Sequence, residues 1–251
     1  MTSSTCTLGT LRGVDLYDGD RIDTDYWQAE GVCWGMVKLS EGCDVQPHAG
    51  DRVDALRSIG AVVGAYAYEY APREDQVAAA NTFVRCLRVL GVDDLYPAVD
   101  LESLCGAGKG AQCVPPDVGL AHCEELADRI EQLLGVSVTV YTGRGFWSLF
   151  GAAGRASWLT QRRLWVADYN VAEVATWLPA RDPLQIEPWP KPTAWQFAAK
   201  GRDGRPLDRN ITTAEGLAAM RWRGIEPRVV APELTLDRIA WSDPAEKPKG
   251  A

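Results

Sequence analysis

Asp100 and Glu102 stand one residue apart at the end of the stretch LYPAVDLES, residues 95–103. The run before them is apolar and of strand length, and residues i and i+2 of a strand share a face, so both acids point one way while Leu101 points the other. Like charges held close in a partly desolvated site push one pKa upward, leaving a protonated acid beside an ionised partner near neutral pH. Acid catalysis needs that combination. With tyrosines and tryptophans around it, whose faces stack on sugar rings, such a pair fits glycoside hydrolysis. The alternative is a divalent-metal phosphodiesterase with Asp15, Asp100 and Glu102 as ligands. Sites of that kind usually recruit histidines, and the chain has only His48 and His122, neither at a strand end. The expectation is therefore a site with no metal and no cofactor.

The acids need a scaffold that points them inward. Strand-like runs occur at 11–17 (LRGVDLY), 32–40 (VCWGMVKLS), 61–68 (AVVGAYAY), 95–101 (LYPAVDL), 136–142 (VSVTVYT), 163–169 (RLWVADY) and 193–198 (TAWQFA). Between them lie amphipathic stretches. Residues 74–91 set Val77, Ala80, Val84 and Leu87 on one helical face and stop at Gly91, and residues 117–135 do the same with Leu120, Cys123, Ala127, Ile130 and Leu134 before Gly135. Strand and helix in regular alternation predict a parallel sheet with helices packed outside. The fold class is thus α/β, a (β/α)8-like and somewhat irregular TIM-type barrel.

In such barrels the working groups come from the C-terminal ends of the strands. Candidates sit there repeatedly: Asp15 on the first strand, Glu41 after the second, Tyr66 and Tyr68 on the third, Asp100 and Glu102 on the fourth, Tyr141 on the fifth. Asp168 and Tyr169 close the sixth, and Trp195 and Gln196 lie on the last, shortly before PLDRN with Asp208 and Asn210. Trp195 is the candidate sugar platform, whereas Trp165 and the other tryptophans read as core. Asp18 and Asp20 read as turn residues.

Composition narrows the partners. A 46% hydrophobic chain of 251 residues supports one main core, assigned to residues 11–221, with residues 1–10 as an N-terminal extension. TTAE at 212–215 reads as a capping box opening a last helix. Residues 222–251, punctuated by Pro227, Pro232, Pro244 and Pro248, read as a tail or linker. A net charge of -8 without a basic cluster excludes nucleic acid, and no window approaches the roughly 20 apolar residues of a membrane span. The N-terminus lacks the basic and apolar regions of an export signal. Of seven cysteines, Cys105 and Cys113 flank GAGKGAQ and could close a small disulfide, the other reading being free thiols.

GVDLYDG, VKLSEG, GAYAY, PAVDLES, VTVYTG, LWVADY, AWQF and LDRN follow one another in an order and spacing that resembles the family 25 glycoside hydrolases over about residues 11–220. The resemblance implies an irregular α/β barrel and a lysozyme-type muramidase that cleaves the β-1,4 bond between N-acetylmuramic acid and N-acetylglucosamine in bacterial peptidoglycan. It implies Glu102 as proton donor, Asp100 as its partner, and Asp15 and Asp208 completing a ring of four acids. It also implies retention of configuration, with either the substrate's own acetamido oxygen or a carboxylate as nucleophile. Two motifs depart from the family: Tyr17 stands where it usually has Ser, and Tyr66-Ala67 where it often has Tyr-His. The setting expected is a phage endolysin made in the host cytoplasm and released by a holin. The alternative is a virion or tail-associated protein whose barrel binds the wall, with other virion or lysis proteins as partners.

Overall fold

The computed structural model describes residues 10–69, 75–106, 111–150, 157–169, 186–201, 204 and 206–222. Most of the expected N-terminal extension, residues 107–110 of the GAGKGAQ loop, and the tail beyond Trp222 with its prolines lie outside the described residues. Among the described residues nine strands occur: β1 (Thr10–Leu16), β2 (Val32–Glu41), β3 (Asp44–Val45), β4 (Val62–Tyr68), β5 (Ala98–Asp100), β6 (Thr139–Gly143), β7 (Arg163–Ala167), β8 (Ala194–Lys200) and β9 (Pro206–Thr213). The helices are α1 (Thr24–Ala29), α2 (Ala49–Ser58), α3 (Gln76–Leu90), α4 (Pro116–Leu134), α5 (Arg144–Trp147), α6 (Ser157–Thr160) and α7 (Ala214–Met220).

Eight strands close a barrel in the order β1-β9-β8-β7-β6-β5-β4-β2, with β2 pairing back onto β1 and β3 hooked onto β2 as a short hairpin. The expected all-parallel sheet is corrected at β9, which runs antiparallel to both β1 and β8. Between β8 and β9, Gly204 has a φ of +79, which suits glycine. PLDRNITT does not read as a strand because its inward positions carry Asp208 and Asn210, so no apolar alternation marks it. Polar function there overrides the pattern.

Side-chain parity divides the core into two layers. Inside the barrel lie Trp34, Met36, Tyr66, Leu95, Tyr141 and Trp165, and between barrel and helices lie Val37, Leu39, Val63, Val99, Val140 and Val166. Trp34 fits because β1 has Gly13 opposite, where a Cβ would sit 2.2 Å from the indole. Helix α3 opens on Asp75, whose carboxylate accepts from the Ala78 amide at 2.7 Å, and ends on left-handed Gly91. Its buried stripe is centred on Gln76, Phe83 and Leu87, so Val77 falls on the flank at 42% exposure rather than in the core. Helix α4 buries all five expected residues and ends at Gly135. Helix α7 starts one residue later than the capping-box reading, on Thr213, which accepts from the Gly216 amide, while the Thr212 hydroxyl donates to the Thr193 carbonyl at 2.7 Å. Cys105 and Cys113 are bonded, and Cys86 and Cys123 remain buried thiols. Among the described residues no helix is long and apolar enough to cross a membrane.

Candidate active site

At the C-terminal end of the strands a cavity of about 210 Å³ opens on the barrel axis. Strand parity places its walls: β1 supplies Asp15 and, two residues on, Tyr17; β2 supplies Lys38; β4 supplies Tyr66 and Tyr68. Asp100 ends β5 and Glu102 follows on the same face; β6 gives Tyr141, β7 gives Trp165 and then Tyr169, β8 gives Gln196, and β9 gives Asp208. All four expected catalytic acids therefore meet in one mouth. Asp100 and Glu102 lie on one side, and Asp15 and Asp208, direct cross-strand partners, on the other. β4 and β2 separate the two pairs one way round, and β6, β7 and β8 the other.

Three expected contacts fall elsewhere. Trp195 adjoins Gln196 in β8 and so faces the helices, 1% exposed, with its indole N–H donating to the Asp168 carbonyl at 3.0 Å. It is core, not a sugar platform. Asp168 adjoins Tyr169 and turns out of the barrel for the same reason, accepting from the Arg144 guanidinium at 3.1 Å. Glu41 ends β2 outside the cavity and holds the Lys38 ammonium at 2.6 Å. The tryptophan that does line the cavity is Trp165, which is also buried at 3% exposure. Lys38 is absent from the strand-end candidates, Trp165 is buried as expected of core yet also lines the cavity, and Asn210, named beside Asp208, serves Asp15 instead of lining the cavity. For Lys38 the signal was parity, since it shares a face with Trp34 and Met36 in an otherwise apolar run.

A hydrogen-bond chain fixes one wall. Gln196 donates from Nε2 to Asp15 Oδ2 at 2.8 Å, and Asn210 donates from Nδ2 to the same oxygen at 2.6 Å. Neither amide is free to flip. The Trp165 indole donates to Asn210 Oδ1 at 2.8 Å, and the hydroxyls of Tyr141 and Tyr169 both donate to Gln196 Oε1. Oδ2 of Asp15 thus takes two donors, and any proton on this carboxyl sits on Oδ1.

Burial raises every acid in the mouth, but by different routes. Asp15 is held well above the usual carboxylate range by burial and the nearby Asp208 charge, against the lowering effect of its two amide donors. Asp208 rises to about 7 through burial and the charges of Asp20 and Glu102. Asp100 is pushed well up by burial and by Glu102, with Lys38 pulling it back, and its Oδ1 is buried with no hydrogen-bond partner among the described residues. Glu102 is raised by burial and restrained by Lys38 and the Tyr141 hydroxyl. Lys38 lies 4.3 Å from the centroid of the Tyr68 ring, so the one cation lining the cavity among the described residues is held between an aromatic face and Glu41. The arrangement can therefore keep a proton on an acid at neutral pH and stabilise positive charge at the cavity centre.

The sequence matches none of the curated proteins. Solved structures share the fold. A family GH25 lysozyme from Aspergillus fumigatus superposes with a TM-score of 0.68 at 18% identity, covering 85% of this chain and 99% of its own. A bacterial lysozyme from Streptomyces coelicolor gives 0.64 at 20% identity, over 86% and 98%. The catalytic domain of an endolysin from bacteriophage P40 of Listeria monocytogenes gives 0.59 at 19% identity, over 84% and 97%. The family model for glycosyl hydrolases family 25 matches residues 14–204, a span that takes in Asp15, Asp100 and Glu102 and stops just before Asp208. This chain belongs to glycosyl hydrolase family 25 and is a glycoside hydrolase.

Proposed function

We propose that the chain is a peptidoglycan muramidase that hydrolyses the β-1,4 bond between N-acetylmuramic acid and N-acetylglucosamine. The observation that carries the reading is Asp100 at the end of β5 with Glu102 just beyond it in the same cavity, both lifted above the usual carboxylate range, in a mouth ringed by two more acids. Glu102 gives its proton to the leaving glycosidic oxygen as that C–O bond breaks. Asp100 accepts from the acetamido N–H of the substrate through its unpartnered Oδ1, and the acetamido oxygen attacks the anomeric carbon. The Glu102 carboxylate then takes a proton from the water that opens the cyclic intermediate, which restores the acid and retains configuration. Asp15 and Asp208 face the charge that develops on the sugar ring, and Gln196 and Asn210 hold Asp15 for that role.

The same reading extends to setting: a phage lysin acting on the bacterial wall, with the fold shared by the phage endolysin domain named above. The test of the chemistry is a digest of purified peptidoglycan by the parent chain and by Glu102→Gln, with new ends identified by mass spectrometry after borohydride reduction. New reducing N-acetylmuramic acid ends that vanish in the variant are the expected result. Reducing N-acetylglucosamine ends would overturn the bond assigned, and an absence of new ends would overturn the activity.

A further inference from the structure

The exposed aromatic rings among the described residues are Tyr17, at 43%, and Tyr169, at 52%, whose hydroxyl is already committed to Gln196. Every described tryptophan is buried, so none offers a face to a sugar. Tyr17, by contrast, lines the cavity on a turn built to hold it. Its amide donates to Asp20 Oδ2 at 2.8 Å and its carbonyl accepts from the Asp20 amide at 3.0 Å, which locks residues 17–20 reciprocally. The turn is then tied to α2 by Arg52, 4% exposed, whose Nη2 donates to the carbonyls of Asp18 at 2.7 Å and Asp20 at 3.0 Å. The Tyr17 ring lies back across Gly19, where a Cβ would come within 2.5 Å of it, so glycine gives the ring its seat. Lys38 Nζ sits 6.0 Å from the ring centroid.

We propose that Tyr17 is a specificity-determining residue, a pre-positioned platform on which one pyranose face of the glycan strand stacks beside the scissile bond. The inference rests on the muramidase reading for the identity of the strand. A ring held in place by its own turn loses little freedom when a sugar settles on it, so its contact is expressed as affinity. The LYDGD run, residues 16–20, that surrounds the change from the family's usual Ser is thereby accounted for: Asp20 and Arg52 fix the backbone, Gly19 makes room, and Tyr17 presents the face.

The test measures binding separately from hydrolysis. In a Glu102→Gln background, a soluble peptidoglycan glycan chain of defined length is titrated into Tyr17→Ala, Tyr17→Phe and Gly19→Ala. KM and kcat are measured for the same substitutions in the active chain. Thermal melts confirm that each variant folds, as an exposed rim position allows. Tyr17→Ala is expected to raise Kd and KM roughly tenfold with a much smaller change in kcat. Phe restores parent affinity, because the face and not the hydroxyl does the binding, and Gly19→Ala, which displaces a ring that is still present, falls between. Unchanged affinity in Tyr17→Ala, or a Phe variant as weak as Ala, overturns the proposal. If the parent chain releases no reducing ends while Tyr17→Ala still weakens glycan binding, the muramidase reading falls and the platform stands.

Discussion

The two carboxyl pairs that face each other across the barrel mouth differ in what surrounds them. Asp15 and Asp208 meet as cross-strand neighbours, and Asp15 is gripped by two amides that are themselves oriented by Tyr141, Tyr169 and Trp165. Asp100, which ends β5, and Glu102, two residues beyond it, show far less clamping: an oxygen of Asp100 has no partner among the described residues, and both feel the cation of Lys38. A group that must change its hydrogen bonds during reaction cannot be fully satisfied beforehand, whereas a group that only opposes developing charge gains from being rigid. On the muramidase reading proposed above, the contrast fits proton transfer by Glu102 with Asp100 orienting the substrate beside it, and a rigid, charge-opposing role for the β1–β9 pair.

That division is broken most forcefully by Glu102→Gln, for which we expect a fall in kcat of roughly a thousandfold, measured as reducing ends per unit time. A loss below tenfold would remove Glu102 from proton transfer. Gln196→Leu cuts a donor from Asp15 and the shared acceptor of two tyrosines. It should lower kcat roughly ten- to hundredfold with KM less affected, and an unchanged kcat would show that the grip on Asp15 is dispensable.

Lys38→Met sharpens the comparison by its sign. Lys38 favours the ionised forms of Glu102 and Asp100, so removing it lifts both further. Activity that needs protonated Glu102 then persists to higher pH, and the alkaline limb of the kcat profile should move up. A limb that stays in place would exclude Lys38 from tuning the acid.

The smallest effect is on stability. Asp208 is lifted to about 7 in the fold, above the roughly 3.9 of an unfolded aspartate, so the folded state binds the extra proton between those values. Its contribution is present below about pH 4 and is lost as pH rises through 7. Asp208→Asn, which cannot ionise, should therefore stabilise the chain by on the order of 1 kcal/mol at pH 8 and by much less at pH 4. Denaturant melts at the two pH values check this, and an effect equal at both would contradict it.

Much of this was legible in the primary structure because period-two parity carries information wherever one strand face is committed. Asp15, Tyr66, Tyr68, Asp100, Glu102, Tyr141, Tyr169, Gln196 and Asp208 all line the cavity as expected. Two of the three misplaced residues share one cause: Trp195 and Asp168 each adjoin a cavity residue, and being next to one in a strand means facing away from it. Glu41 reached the right strand end but pairs with Lys38 instead of opening into the cavity. Strand β9 escaped because its working face is polar, and Lys38 because a lysine in an apolar run is ordinarily taken for a surface residue. Neither the double amide grip on Asp15 nor the Gly19 seat for Tyr17 leaves a mark in spacing, since both depend on which strands the barrel closes side by side.

The division of labour is tested most directly by changing the leaving group. Parent chain, Glu102→Gln, Asp15→Asn and Gln196→Leu are compared on a glycan strand and on a muramyl glycoside whose aryl leaving group departs without protonation. Glu102→Gln is expected to recover most of its lost kcat on the aryl substrate, while Asp15→Asn and Gln196→Leu keep their deficits on both. Equal deficits for all three variants on both substrates would contradict that division, because no residue among them would then be specific to proton transfer.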